Sequence, residues 1–197
     1  MVAVALLVGV LVAGCGGSND SSTPQAGPTS GASATSGPPP MATTVVLGKV
    51  AGNLHQPNRR IFKKHRKTLL KKVGTAVDTW IDGGFVGVAY PRDSFGTAFA
   101  AFTPPAKREA RHQQQLMTNW KLRKRIDGVD VKKRTVTVDV LAPHGHPAGA
   151  TARVALVFTT TGHKTKRVEV HGRLFLSPDA HGHWRVFGYD VASGGSR

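Results

Sequence analysis

Four side chains are candidates for proton transfer: Asp78 on a predicted first helix, Tyr90 and Asp93 in the following loop, and Asp190 on the last predicted strand. General acid–base catalysis requires such a group to be positioned by a partner inside a dry pocket. Asp190 shares its strand parity with Trp184 and Val186, and this parity would turn it inward. Structural roles explain the other three better: Asp93 as a helix cap, Tyr90 as an aromatic at the rim of a domain, and Asp78 as a surface partner for a lysine. The sequence therefore offers candidates for a catalytic pocket without a recognisable acid–base pair.

Four histidines form two His-Gly-His pairs in predicted loops, His144 with His146 and His181 with His183. Neutral imidazoles suit Zn²⁺ or Cu²⁺, but three or four ligands must converge on one ion. A four-histidine site would form if the two loops met. Because no cysteine and no nearby glutamate supports such a site, polar loops are the simpler interpretation, and we expect no cofactor.

The chain contains one cysteine, Cys15, which excludes an internal disulfide. The apolar run at residues 1–14 is too short to cross a bilayer, which takes about 20 apolar residues, but it has the length of a signal-peptide apolar region. Its end, Leu11-Val12-Ala13-Gly14-Cys15, resembles the lipobox of bacterial lipoproteins. The resemblance implies cleavage before Cys15 and diacylation of its thiol. Two acyl chains would then hold the protein stably on the extracytoplasmic face of the cell membrane.

The net charge of +16 is distributed unevenly along the chain. Residues 16–44 contain 21 Gly, Pro, Ser or Thr among 29 and a single charged residue, which predicts a disordered linker. Residues 45–72 contain nine Lys or Arg and no acid. Eight of these nine are close together in a predicted helix: Arg59, Arg60, Lys63, Lys64, Arg66, Lys67, Lys71 and Lys72.

These eight cations could bind anionic lipid head groups, an anionic wall polymer or an acidic envelope protein. Their segment carries one aromatic residue, Phe62, so the stacking platforms typical of single-stranded nucleic-acid binding are missing, which argues against nucleic acid. A solvated helix face is the alternative. However, Arg59 and Arg66 fall on the predicted apolar stripe, and solubility alone would not require that.

The periodicity of the sequence predicts helices first and strands later. Apolar residues recur with helical spacing from Phe62 to Ile81, and Asp82-Gly83-Gly84 is a break signal that would end this helix. We expect the helix to pack from about Thr68 onward, with its first turns projecting past the core. Two shorter helices are predicted within residues 93–117. After Gly128, four runs with period-two alternation and short connecting loops predict an α+β domain with a curved, mostly antiparallel sheet of about four strands, covered by helices on one face.

Two stretches carry a resemblance to a known superfamily: Thr79-Trp80-Ile81-Asp82-Gly83, and Gly182 to Val191 with the sequence GHWRVFGYDV. Together with the order of elements, they resemble the NTF2-like (cystatin-like cone) superfamily. Ala89 to Phe95 (AYPRDSF) and Val170 to Leu174 (VHGRL) are similar to uncharacterised actinobacterial lipoproteins. The resemblance implies an NTF2-like domain at 68–193. With the patterns described above, the chain divides into a signal peptide at 1–14, Cys15 with a linker at 15–44, a basic segment at 45–67 and this domain. Because this superfamily hosts enzymes, transport adaptors and envelope proteins, its fold does not choose a function.

The sequence therefore predicts a membrane-anchored envelope lipoprotein without catalytic activity. Its basic helix and NTF2-like domain would bind a partner protein or an anionic surface. One alternative is a pocket that binds or converts a small apolar molecule. The other is a His-rich metal binder.

Overall fold

The computed structural model describes residues 41–87 and 89–195, which form an α+β fold with one curved sheet. Five strands lie side by side in chain order: β1 (Thr44–Ala51), β2 (Gly128–Leu141), β3 (Gly149–Thr161), β4 (Arg167–Pro178) and β5 (Trp184–Gly194). The helices are α1 (Asn58–Gly84), α2 (Pro104–His112) and α3 (Gln114–Met117). Two short 3₁₀ helices lie at Gly96–Phe99 and Pro143–Gly145.

The strands β2 to β5 coincide with the four runs of period-two alternation predicted from the sequence. In β3, Ala152, Val154, Leu156 and Phe158 are buried, whereas the residues between them are partly or fully exposed. Each of the pairs β2–β3, β3–β4 and β4–β5 is antiparallel. Because the connecting loops are short, each strand returns beside the one before it. The predicted antiparallel arrangement of these four strands is confirmed.

The sheet has five strands rather than about four, because β1 pairs in parallel with β2. None of the residues of β1 is fully buried, so its apolar pattern is weak. The pairing is interrupted between Leu47 and Val50, where the backbone N–H of Lys49 donates to Asp139 Oδ1 over 2.7 Å. A Cβ at Gly48 would lie 2.2 Å from the same carboxylate oxygen, so a larger residue there would have to displace the Asp139 side chain. The β1 strand is therefore held partly by a side chain of its neighbour.

Helix α1 contributes the longest apolar stripe to the core. Leu69, Val73, Val77 and Trp80 are buried at the predicted helical spacing. Phe62 is buried as well, so the expectation that packing starts only at about Thr68 is wrong for this one side chain.

The break signal after Asp82 does end α1, but not through a left-handed glycine cap. The helix runs to Gly84, and the capping residue Phe85 has φ −131°. A Cβ at Gly83 would lie 2.6 Å from both the backbone N and the Cα of Ala98. Gly83 therefore allows the end of α1 to approach the 3₁₀ helix at Gly96–Phe99.

A buried arginine on β2 fixes α1 to the sheet. Arg134 Nη2 contacts Asp78 Oδ1 at 2.7 Å, and Nη1 contacts Asp82 Oδ1 at 2.6 Å. Thr43 donates a further hydrogen bond to Asp78. Burial alone lowers the pKa of Arg134, but the two carboxylates, Asp82 first, raise it above its usual value. The guanidinium is therefore held in its charged form at the interface between helix and strand.

Candidate functional site

The eight cations predicted as a binding segment form one surface on the first half of α1, which we call the basic surface. It consists of Arg59, Arg60, Lys63, Lys64, Arg66, Lys67, Lys71 and Lys72, and each of these residues is exposed. Residues 63–68 are exposed without interruption over more than one and a half turns. These six side chains all face solvent, although the β2–β3 turn lies beside His65.

Phe62 and the β2–β3 turn hold the projecting turns in place. Phe62 is buried before the exposed run begins. At the turn, Gly145 has φ 80°, and a Cβ there would lie 2.3 Å from the carbonyl oxygen of Asn58. The rings of His65 and His146 lie 5.6 Å apart. The start of α1 is therefore supported from one side by this turn.

The cations of the basic surface have no acidic partners in the described part of the chain, since none forms an ion pair within 4.0 Å there. By contrast, most carboxylates of the folded body are already paired with Lys, Arg or His on the sheet, on loops or at the end of α1. These are Asp78, Asp82, Asp93, Asp130, Asp139, Glu169, Asp179 and Asp190. The basic surface thus carries uncompensated positive charge facing solvent.

An open groove of about 540 Å³ continues along α1 from the basic surface. One wall is the helix face from Lys67 to Thr79, and the other is formed by Ala101, His183 and Trp184. Lys72 Nζ donates to the carbonyl of Gly182 over 2.9 Å and bridges the two walls.

The wall of the groove changes from charged to apolar along the helix. Its α1 residues are, in order, Lys67, Thr68, Lys71, Lys72, Thr75, Ala76 and Thr79. Thr75 Oγ1 donates to the carbonyl of Lys71, and Thr79 Oγ1 donates to that of Thr75, each over 2.9 Å. Because both hydroxyl protons are used within the helix, this end of the wall makes few polar demands on a ligand.

The acid–base candidates do not converge on a pocket. Tyr90 is buried instead of lying at a rim: its hydroxyl donates to the carbonyl of Phe85 over 2.8 Å and accepts from Asn119 Nδ2 over 2.9 Å. Burial raises the pKa of Tyr90, against the opposing effects of Asn119 and Arg92. Asp93 is exposed and lies 3.4 Å from Lys124. Tyr90 therefore has a structural role, in which it holds the segment after α1 to Phe85 and Asn119, and Asp93 forms a surface ion pair.

Asp190 faces outward, contrary to the prediction from strand parity. Phe175 pairs with Gly188 and Leu176 with Val186, so Phe187 is an extra residue in β5. Such a β-bulge reverses the parity of everything after it. Asp190 is consequently exposed, and its Oδ2 lies 2.6 Å from Arg173 Nη2.

Arg92 is a buried residue whose role was not evident from its sequence. It donates to the carbonyls of Gly83 over 2.8 Å and Ser94 over 3.0 Å, and its guanidinium lies 3.9 Å from the centre of the Phe95 ring. These contacts fix the segment between α1 and the first 3₁₀ helix. The AYPRDSF stretch is therefore held against the end of α1 by its two buried polar side chains, Tyr90 and Arg92.

The two His-Gly-His pairs stay apart in the structure. His144 lies in the β2–β3 turn, and His183 is paired with Asp179 of the β4–β5 turn at 3.4 Å. Within residues 41–87 and 89–195, no group of three or more His, Cys, Asp or Glu side chains could hold a metal ion. The structure thus does not bring together the four-histidine site that the spacing left open.

Cys15 and the signal-peptide interpretation lie outside the described residues. In the part of the chain that is described, none of the helices combines the length and the apolar character needed to cross a membrane.

We compared the chain with protein-family models, with curated proteins and with solved structures, and no match was found in any of the three.

Proposed function

We propose that this chain is an exported lipoprotein, anchored through Cys15, whose folded domain binds anionic lipid head groups through the basic surface of α1. The domain acts as a binding module and not as an enzyme. We further propose that it is an NTF2-like cone. A long first helix, short helices and a curved, largely antiparallel sheet support this assignment.

The observation that carries the proposal is the absence of acidic partners around the basic surface. Eight exposed cations lie within about four turns of α1, the longest helix of the described chain, and none forms an ion pair within the described residues. An isolated solvated helix gains stability from interspersed acids at i+3 or i+4, and the first half of α1 has none. The missing negative charge would come from the bound surface.

The geometry suits a membrane surface better than a small ligand. Residues 63–68 are all exposed, and at 3.6 residues per turn the cations of the basic surface other than Lys72 fall within about half of the helix circumference. One extended anionic surface can therefore meet several of them at once. Clusters of four to eight basic residues on a helix are typical of binding to anionic lipids, with about 1 kcal/mol contributed per residue near the surface.

Vesicle binding tests this function. We would use the full chain carrying Cys15→Ser, so that no lipid is attached, and measure co-sedimentation with phosphatidylglycerol-containing and purely phosphatidylcholine vesicles at several salt concentrations. A variant with Lys63, Lys64, Arg66 and Lys67 changed to Gln should lose roughly 4 kcal/mol, which weakens binding to anionic vesicles about a thousand-fold.

A matched control removes the same charge elsewhere. Lys121, Arg125, Lys133 and Lys164 are exposed and form no ion pair in the described structure, so changing these four to Gln alters net charge equally. We expect this control to retain most of the affinity for anionic vesicles. Equal weakening by both variants, or tighter binding to soluble polyphosphate or acidic protein than to anionic vesicles, would contradict a lipid surface as the target.

A further inference from the structure

We infer that the groove beside the basic surface binds a single long acyl chain with an anionic head group, namely a long-chain fatty acid. The carboxylate would lie at the lysine end, near Lys71 and Lys72, and the chain would run toward Ala76 and Trp184. This inference deepens the proposed function and rests on it, because it names a ligand class at the same helix.

The dimensions of the groove fit such a ligand. Its α1 wall extends from Lys67 to Thr79, which at 1.5 Å per residue is about 18 Å of helix. Its volume of about 540 Å³ lies within the range of about 300–1,000 Å³ that is typical of small-molecule sites. The groove follows the helix for this length, and an extended acyl chain could lie along it.

The chemistry of the wall has a direction. Three lysines lie at one end, whereas the other end presents Ala76, Ala101 and the Trp184 ring together with threonines whose hydroxyls are already bonded. Asp179, which pairs with the groove residue His183 at 3.4 Å, is also engaged by Arg185 over 3.1 Å. The charge of the groove is thus complementary to an anion at one end only, and this matches an amphiphile with one charged head.

The lysine end is held ready for a head group. The hydrogen bond from Lys72 Nζ to Gly182 fixes one ammonium across the mouth of the groove, and Gly182 itself lies in a turn with φ 73°. Lys71 precedes it by one residue and is exposed at the same end. One positioned and one exposed ammonium suit a carboxylate, which accepts from more than one donor.

Calorimetric titration with palmitate, at concentrations where it is monomeric, tests this inference on the full chain carrying Cys15→Ser. Hexadecylamine, with the same chain and a cationic head, is the matched ligand control. We expect saturable binding of palmitate and binding of the amine that is at least about tenfold weaker. Changing Lys71 and Lys72 to Gln should weaken palmitate binding about tenfold.

A second pair of variants separates the groove from the basic surface. Thr75→Trp places a large ring into the groove from an exposed helix position, whereas Thr75→Ala leaves it open. Thr75→Trp should abolish palmitate binding and retain binding to anionic vesicles, and Thr75→Ala should retain both. Circular dichroism verifies that both variants are folded. If Thr75→Trp does not fold, Ala101→Leu replaces it, because this change narrows the groove from the opposite wall.

Each outcome distinguishes the two proposals. Absence of saturable palmitate binding, unchanged binding by a folded Thr75→Trp, or equal affinity for amine and acid would overturn the groove while leaving vesicle binding intact. Loss of vesicle selectivity with retained palmitate binding would instead overturn the proposed membrane surface.

Discussion

Arg134 bridges two carboxylates of α1, and the unequal exposure of the three groups leads to an asymmetric prediction. The arginine side chain is 4% exposed, whereas Asp78 and Asp82 are 36% and 43% exposed. Removing both acids would leave a buried cation without a counter-charge. Removing the arginine would leave two carboxylates that water can still reach. We therefore expect Asp78→Ala with Asp82→Ala to destabilise the fold more than Arg134→Met.

The magnitudes follow from the cost of an unpaired buried charge. Breaking a buried ion pair by removing one partner costs about 3–5 kcal/mol, and we expect the double alanine variant within this range. For Arg134→Met the loss should be only about 1–2 kcal/mol, because the carboxylates regain hydration and methionine fills the space with apolar atoms. A variant with all three changes leaves no charge to compensate, and its cost should be about 1 kcal/mol or less.

Urea unfolding followed by circular dichroism measures all four proteins. The loss of stability in the triple variant should be smaller than the summed losses of the double alanine variant and Arg134→Met by at least about 3 kcal/mol. This difference is the coupling energy between Arg134 and its two partners. Comparable slopes of the unfolding free energy against urea would show that the denatured states are alike. Additive effects, or a larger loss for Arg134→Met than for the two alanines, would refute the role of burial in this argument.

Two further predictions concern the anchor and the alkaline limit of stability. Cys15→Ser should move the protein from the membrane fraction to the soluble fraction of the producing cells, since a serine hydroxyl cannot receive the thioether-linked lipid; unchanged membrane retention would defeat the anchor. Burial, with a smaller effect of the charge on Glu109, raises the pKa of Tyr189 from 10.0 to about 12. The folded state then holds this proton more tightly, so its contribution to stability is complete below pH 10 and is lost as the pH rises toward 12. Ultraviolet titration should show a tyrosinate signal near pH 12 that Tyr189→Phe lacks, and unfolding at alkaline pH should show a loss of stability that this variant lacks. Identical alkaline titrations of the two proteins would contradict the raised pKa of Tyr189.

Much of the fold follows from periodicity alone. The helical spacing from Leu69 to Trp80 and the alternation in β3 each reflect burial on one side of an element, and both predictions agree with the structure. The exposure of residues 63–68 was likewise predictable, because six consecutive polar side chains leave no face for packing. These features depend on local sequence and therefore need no knowledge of distant partners.

The errors arose where a distant contact overrides the local pattern. Strand β1 is recognised by its pairing with β2 and by the Asp139 carboxylate, and neither is visible in its short, half-buried sequence. The outward direction of Asp190 depends on the bulge at Phe187, a one-residue insertion that alternation cannot locate in advance. The groove joins α1 to Trp184, which lies more than a hundred residues after Thr79 in the chain. Only its α1 wall, with Thr75, Ala76 and Thr79, could have been recognised from local sequence.

The second half of α1 packs on the sheet, whereas the first half presents cations to solvent, and the location of the acids explains this difference. Asp78 and Asp82 lie in the second half, where Arg134 draws them to the sheet and the apolar stripe is fully buried. The first half has no acid, and its cations form no ion pair in the described part of the chain. Had acids been interspersed there, each would have strengthened the isolated helix by about 0.2–0.5 kcal/mol while cancelling the charge available to a membrane. The first half of the helix is thus intrinsically less stable than a helix with interspersed acids. The packing of the second half against the sheet stabilises the whole helix and compensates for this difference.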